Sequence, residues 1–507
     1  MIRWLVALSM CWAAMATEEQ GTLAEVRRFL ASGDWKHADE LAAALAAQSG
    51  ASYEVFEMLG RVKDAQRRYD AADAAYRKAF DLAPAAASPH VSLGVSYVQR
   101  GEAERALEQF QQALARDPQN LTALTNAGAL EVAAQRFTEA ETHYQSASKI
   151  APGDPVNLLG LATAALGAGH TETARKSAAL LAKTENPPVH FSLGLLFAQY
   201  ALYPEAAGEF ELVARKGVRS TELFLNLGRV YSAQGKYDAA KENYFKAIDL
   251  NPRDAAPYLR VGADYLSRHK GSLAVVWLLR AAKLDGGQPE TLLLLGRALM
   301  NEEYFQTAHT YLARYVDKRP NDAKGWLWLG DAFLEDEQLE DAWKAYEKAL
   351  QLVPQLAAAH YLAGNAAYLT KRLPEARQEL LRAVAIDPSH AEAQLRLGEI
   401  AYRDNHDDEA AGRFLAVLKS HPDDTEAAYD LAKVRVRQRQ FLPARELLEK
   451  IVARQPDDTR FHYLLSQVYR ELGATDLSVR EANLYRTIKA AQEYDHRFVR
   501  HSHAYVE

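Results

Sequence analysis

Small residues recur along this chain at intervals of 34 residues, with one shorter step between Ala162 and Gly194. Twelve residues after each small residue comes an alanine in nearly every unit, from Ala72 to Ala444. Both columns keep one register through thirteen units, which predicts stacked structural repeats instead of separate globular domains. The small residues are Gly60, Gly94, Gly128, Ala162, Gly194, Gly228, Gly262, Gly296, Gly330, Gly364, Gly398, Ala432 and Ser466.

A large apolar residue lies four positions after the alanine in most units. Two antiparallel helices pack closely only where small residues face each other, and a large side chain then fills the remaining gap. Most units close on a proline, and Asp254, Asp322, Asp423 and Asp457 nearby are predicted to cap helices. Each unit is therefore predicted to be a helical hairpin. The large residues are Tyr76, Phe110, Tyr144, Phe210, Tyr244, Leu278, Leu312, Tyr346, Leu380, Phe414 and Leu448.

The combined pattern resembles the tetratricopeptide repeat family, and one unit departs from the family signature only by phenylalanine in place of tyrosine. Its matching residues are Trp326, Leu329, Gly330, Phe333, Ala342, Tyr346, Ala349 and Pro354. The resemblance covers residues 53–480 and implies an all-α fold, an α-solenoid of about thirteen helix-turn-helix repeats in a right-handed superhelix. Residues 17–52 are interpreted as a divergent N-terminal hairpin and residues 481–507 as a C-terminal cap helix and tail.

Residues 1–16 have the organisation of a secretory signal peptide. Arg3 supplies a positive charge, Trp4–Ala13 forms an apolar segment, and residues 14–16 match a small-x-small cleavage site. We therefore expect an exported protein, periplasmic or secreted, whose mature chain starts at Thr17 and keeps no membrane span. Cys11 is the single cysteine of the sequence, and a lipid-modified N-terminus at this residue is the alternative.

The composition is that of a globular protein, with 48% hydrophobic and 25% charged residues. The formal net charge is −7 and basic and acidic residues are interspersed, so nucleic acid is not expected as a partner. The basic run from Lys433 to Arg439 is interpreted as a solvated face. No phosphate-binding, hydrolase or metal motif is found, and His501 and His503 are interpreted as part of a solvated tail. We therefore expect no enzymatic activity, no cofactor and no metal.

The resemblance also implies a binding surface, because the first helix of each hairpin lines the concave groove in related proteins. The corresponding positions here hold aromatic residues interleaved with amides and charges, whose faces and polar groups suit an extended ligand. The alternative is that these side chains pack the first helices together. The candidates are Trp328, Tyr361, Asn365, Tyr368, Arg396, Tyr402, Tyr429 and Lys433, with Arg229, Arg260 and Arg297 as a basic spot in the middle of the groove.

These patterns favour an exported scaffold that binds an extended protein or peptide segment along the groove. A periplasmic scaffold for polysaccharide export or glycan binding is the second hypothesis, since aromatic rows also suit sugar chains. The third hypothesis is a regulatory or substrate-binding arm of a separately encoded enzyme.

Overall fold

The computed structural model describes the backbone of residues 19–503 and the side chains up to residue 492. Within that range every regular element is an α-helix, which confirms the all-α fold class. The predicted signal peptide lies outside the described residues, and so do the side chains of His501 and His503. In the described range, no helix is both long and apolar enough to cross a membrane.

The chain divides into two compact units, residues 1–250 and 251–507. Consecutive helices pair as hairpins, in which we call the odd-numbered helix the first helix and the even-numbered one the second helix. The described part of unit 1 contains α1 (19–32), α2 (Trp35–Ala46), α3 (Tyr53–Ala65), α4 (Tyr69–Leu82), α5 (Ser88–Arg100), α6 (Ala103–Arg116), α7 (Leu121–Ala133), α8 (Phe137–Ile150), α9 (Pro155–Gly167), α10 (Thr171–Leu181), α11 (Pro187–Gln199), α12 (Tyr203–Arg215), α13 (Thr221–Ala233) and α14 (Tyr237–Leu250).

Unit 2 continues the same pattern of hairpins. Its described part contains α15 (Ala255–Ser267), α16 (Gly271–Asp285), α17 (Pro289–Asn301), α18 (Phe305–Lys318), α19 (Ala323–Glu335), α20 (Leu339–Leu352), α21 (Ala357–Leu369), α22 (Leu373–Ile386), α23 (Ala391–Arg403), α24 (Asp407–Ser420), α25 (Thr425–Arg437), α26 (Phe441–Arg454), α27 (Thr459–Glu471) and α28 (Thr475–His503). The boundary placed at residue 480 from the sequence falls inside α28, which completes the last hairpin and continues without a break.

In most repeats the small residue faces a large residue sixteen positions later. A Cβ atom built on Gly330 would lie 2.4 Å from the ring of Tyr346, which is fully buried. Where the repeat has Ala178 in place of a large side chain, the small position holds Ala162 instead of glycine. The side chains of the two columns together fill the space between the two helices of a hairpin. Their combined volume sets how closely the helices approach.

We expect Gly330→Ala to lower the free energy of unfolding by about 1–3 kcal/mol, because the added methyl group forces Tyr346 out of its place. Gly412→Ala is the matched control, since Gly412 lies in the middle of α24 with nothing within 4 Å of a new Cβ atom. That change is expected to be neutral or stabilising by up to about 1 kcal/mol. Urea unfolding followed by circular dichroism measures both, and equal effects would contradict the shared volume.

The turn inside each hairpin contains one residue with left-handed backbone, seven positions after the small column, with φ between 54° and 83°. In the repeat of Gly330 this residue is Glu337, and the next N–H, that of Gln338, donates to the carbonyl of Phe333 at 2.8 Å. Such a bond closes the helix end as in a Schellman motif. Most of these residues are not glycine, namely Arg67, Gln135, Ala201, His269, Glu303, Glu337, Lys371, Asn405 and Arg439.

Aspartates begin many of the first helices. The side chains of Asp254 and Asp322 accept backbone N–H bonds at the starts of α15 and α19, as the sequence predicted. For α25 and α27 the prediction was one residue too early, because Asp424 and Asp458 make these bonds instead of Asp423 and Asp457. The capping residue is the one directly before the helix, and the sequence alone did not place that boundary to the residue.

A column of side chains near the start of the first helices bonds back to the closing proline. In α21, the ring of His360 lies with Nε2 3.0 Å from the carbonyl oxygen of Pro354 and Nδ1 2.6 Å from Oε2 of Glu379. At the equivalent place in α19, the indole N–H of Trp326 donates to the carbonyl of Pro320 at 2.9 Å. These bonds fix the entry of each first helix on the preceding turn.

Candidate functional site

The first helices of unit 2 carry aromatic rings that cations on the neighbouring first helix cover. Arg297 of α17 places its guanidinium carbon 5.0 Å from the centre of the Trp328 ring in α19. Arg396 of α23 lies over Tyr368 of α21 at 5.2 Å. This spacing is within the range of a cation–π contact. Each contact joins two successive repeats, so these four predicted site residues lie on facing sides of neighbouring first helices.

Arg396 organises the first group of predicted residues. Its Nε donates to Oδ1 of Asn365 at 3.2 Å, and its Nη1 donates to Glu399 at 2.8 Å. Burial opposes the charge of this guanidinium, but the hydrogen bonds to Glu399 prevail and raise the pKa of Arg396. Burial also raises the pKa values of Tyr361 and Tyr368, so both rings present neutral hydroxyl groups near neutral pH.

Lys433 organises the second group. Its Nζ lies 5.2 Å from the ring centres of both Tyr402 and Tyr429, and it pairs with Asp430 at 2.6 Å. The lysine of α25 thus bridges a ring on its own helix and a ring on α23. We call the two groups together the aromatic ladder, which consists of Tyr361, Asn365, Tyr368, Arg396, Tyr402, Tyr429 and Lys433.

All four rings of the ladder are half-buried, as is Trp328, and none belongs to the fully buried core. Each ring is therefore partly packed and partly accessible, and binding of a ligand by these residues stays a prediction. Side chains that are fixed by their neighbours lose little entropy when a ligand binds them.

The cations of this surface differ in whether a carboxylate compensates them, and the basic spot stays a prediction. Arg260 donates to Glu290 at 2.9 Å, Arg396 pairs with Glu399, and Arg297 covers Trp328. Arg229 belongs to unit 1, where it is exposed on α13. The structure therefore does not describe the three arginines as one site. The ladder offers rings and hydrogen-bonding groups instead of a net positive charge.

Two arginines of this surface were missed or misinterpreted. Arg437 was assigned to a solvated face, but its guanidinium carbon lies 3.7 Å from the Tyr402 ring, and it donates to Asn405, Asp407 and the Tyr402 carbonyl. Arg460 of α27 lies 5.4 Å from the Tyr429 ring and pairs with Asp458 at 2.7 Å. Both ring contacts join residues of successive repeats. They can therefore be found in the sequence only by comparing neighbouring repeats, not by comparing positions within one repeat.

The described side chains hold no group of three histidine, cysteine, aspartate or glutamate residues that is arranged to bind a metal ion. What the described part of the chain does offer is a series of helical hairpins whose first helices share a surface of fixed rings. This arrangement defines a repeat scaffold of the protein-interaction type.

Models of the tetratricopeptide repeat match residues 53–85, 91–155, 221–254, 293–357, 338–391, 382–425 and 408–468. Together these segments cover more than half of the sequence. The chain belongs to the tetratricopeptide repeat family, a fold that commonly serves protein–protein interaction.

Among curated proteins, the chain is similar to the protein CTR9 homolog of Arabidopsis thaliana, with 24% identity over 344 residues. The match covers 56% of this chain and 31% of that protein, so this chain spans about a third of its length.

Solved structures with similar folds include YrrB, a tetratricopeptide repeat protein with an unusual peptide-binding site, at 22% identity and a TM-score of 0.35. That match covers 37% of this chain and 96% of YrrB. The hetero-tetramer Cut9–Hcn1 of the APC/C matches with 13% identity and a TM-score of 0.36, over 90% of this chain and 98% of the other.

Proposed function

We propose that this protein is an exported, non-catalytic scaffold that binds an extended segment of a partner protein along the first helices of unit 2. The observation that supports it is the aromatic ladder, whose half-buried rings are held by cations of the neighbouring repeats. Tyrosine and arginine are the residue types that most often dominate the energy of protein interfaces. Export rests on the signal-peptide pattern of residues 1–16.

An extended segment suits this surface because each repeat adds one more first helix to it. A chain lying across α21, α23 and α25 meets Tyr368, then Arg396 and Tyr402, then Tyr429 and Lys433. Rings take up its apolar side chains, Asn365 accepts from or donates to its backbone, and the carboxylates beside the cations accept its backbone N–H groups.

A glycan chain is the second candidate, and the compensated charges favour it. Since Glu399 and Asp430 neutralise Arg396 and Lys433, the ladder has no requirement for an anionic ligand. Aromatic faces with nearby hydrogen-bonding groups also bind neutral sugars. Because Arg396 holds Tyr368 in place, a change of charge there would weaken either ligand, and only the chemical identity of what is bound separates the two.

The test is capture from an extract of the source cells, with the chain from Thr17 onward as bait. We expect Trp328→Ala/Tyr368→Ala/Tyr402→Ala to weaken binding of one partner protein at least tenfold, since each ring of a binding hot spot contributes about 2 kcal/mol or more. The control variant is Val276→Ala/Tyr304→Ala/Leu442→Ala, which removes exposed side chains that lie off the ladder.

Mass spectrometry and glycan analysis identify what each bait retains. A protein lost with the ladder variant and kept by the control variant supports the proposal, whereas a sugar with that behaviour favours the glycan scaffold. Capture that is equal for both variants would contradict a binding role for the ladder. Circular dichroism of each bait shows that the hairpins remain folded.

A further inference from the structure

A second groove lies on the other side of the hairpins in unit 2, between the second helices α20 and α22. It has a volume of about 1000 Å³. Trp343, Leu350 and Ile386 line it with apolar surface, and Pro354, His360 and Arg382 line it as well. None of these residues is part of the aromatic ladder, so the groove is separate from the surface of the proposed function.

The groove also carries three carboxylates, and they differ in what they already contact. Glu379 is close to both His360 and Arg382, at 2.6 and 2.8 Å. A carboxylate oxygen of Glu375 lies 3.4 Å from a guanidinium nitrogen of Arg372. The side chain of Glu347 is half-buried, and its carboxylate makes neither a hydrogen bond nor an ion pair within the described part of the chain. Burial raises the pKa of Glu347, an effect that nearby Arg372 partly offsets.

Trp343 and Glu347 lie four residues apart on α20, and therefore on one face of the helix. The next two repeats hold Arg377 and Ala411 in place of Trp343, and leucines in place of Glu347. The repeat fold does not require either residue at its position. Trp343 packs in part against the hydrophobic core, and its remaining exposed surface beside the open carboxylate of Glu347 is typical of a binding surface.

A contact within the chain shows which chemistry suits this side of the groove. The guanidinium carbon of Arg372 lies 3.9 Å from the centre of the Trp343 ring, and its nitrogens lie 3.4 Å from Glu340 and Glu375. A long cation with an apolar stem thus finds an aromatic face and carboxylates in the same place. Arg372 covers one face of the half-buried Trp343 ring, and Glu347 adds a further carboxylate on the same side of α20 for a cation from outside.

We propose that the groove between α20 and α22 binds an arginine or lysine side chain of a partner protein, with its charge at Glu347 and its stem along Trp343 and Leu350. A half-buried carboxylate without a hydrogen bond or ion pair loses hydration, and the attraction of nearby Arg372 offsets this loss only in part. An incoming guanidinium or ammonium supplies that attraction as a charge-assisted hydrogen bond. A metal ion does not suit the place, because the described residues there form no metal-binding group.

The probe is a blocked peptide of alternating glycine and arginine, titrated into the full chain by calorimetry at moderate salt. Glu347→Gln keeps the shape of the side chain and removes its charge, and we expect it to weaken binding at least about tenfold. Glu446→Gln is the matched control, since Glu446 is an exposed carboxylate on the second helix α26. It is expected to bind the peptide as the wild type does.

Three further measurements complete the test. A glycine–glutamate peptide of the same length should not bind, and the tryptophan fluorescence change on titration should be lost in Trp343→Phe. The variant Trp328→Ala/Tyr368→Ala/Tyr402→Ala should still bind the arginine peptide, which separates this groove from the ladder. Equal weakening by Glu347→Gln and Glu446→Gln would show attraction to the net charge only and overturn the proposal, as would the absence of binding to the wild type.

Discussion

Replacing Arg100 with methionine is expected to lower the free energy of unfolding by about 3–5 kcal/mol, the largest effect of any single change considered for this chain. Arg100 ends α5 with its side chain only 5% exposed, and it donates to Asp64 of α3 at 2.7 Å and to Asp73 of α4 at 2.8 Å. Methionine keeps most of the apolar stem but leaves Asp64 buried without a cation and Asp73 with only the more distant Arg105, at 3.9 Å. An uncompensated buried charge costs far more than the loss of an exposed ion pair.

Arg136→Met is the control for Arg100→Met, because Arg136 is 44% exposed and pairs with Glu104 at the surface. Such pairs contribute about 0–1 kcal/mol. Urea unfolding gives the overall loss, and hydrogen exchange shows whether α3, α4 and α5 lose protection first. If the two variants cost the same, the buried network does not hold these repeats together.

His360→Phe is expected to cost about 2–4 kcal/mol, the second largest effect. The ring of His360 is 5% exposed, and both of its nitrogens contact oxygen atoms, the carbonyl of Pro354 and the carboxylate of Glu379. Phenylalanine fills a similar volume but leaves both acceptors without this partner. Each buried polar atom that loses its hydrogen bond costs about 1–3 kcal/mol.

His360→Gln is the matched comparison, because the chain uses glutamine for this bond in the next repeat. There, Nε2 of Gln394 donates to the carbonyl of Pro388 at 3.2 Å. We expect the glutamine variant to keep the bond to Pro354 and to lose less than half as much stability as the phenylalanine variant. Thermal and urea unfolding of both variants test this, and equal losses would mean that the ring contributes by packing alone.

The sequence predicted the hairpins well because their packing depends on volume, and volume repeats from unit to unit. Gly330 and Tyr346 illustrate this, since each is recognisable by size alone. The left-handed turn residue was not predicted. Glu337 and Lys371 adopt that conformation because the two helices on either side require it. Neither glutamate nor lysine favours a left-handed backbone, so the residue type does not mark the position in the sequence.

The candidate surface was predicted in its rings but not in its charge. Tyr368, Tyr402 and Tyr429 lie on the predicted face, yet Arg396 and Lys433 are neutralised by Glu399 and Asp430, three residues along the same helices. The partners of the other charged side chains on this surface depend on contacts between successive repeats. Arg437 binds the carbonyl of Tyr402 across 35 residues of sequence, a pairing visible only when adjacent repeats are aligned side by side.

The place of the bound partner is tested most directly by photocross-linking from the ladder. A benzophenone amino acid replaces Tyr368 in one variant and Val276, 62% exposed on the second helix α16, in another. After irradiation in the source cells, the chain with the probe at Tyr368 is predicted to form one covalent adduct, whose peptides map to a single segment of one partner protein. Adducts of equal yield from Val276, or none from Tyr368, would contradict binding of a protein segment along the first helices of unit 2.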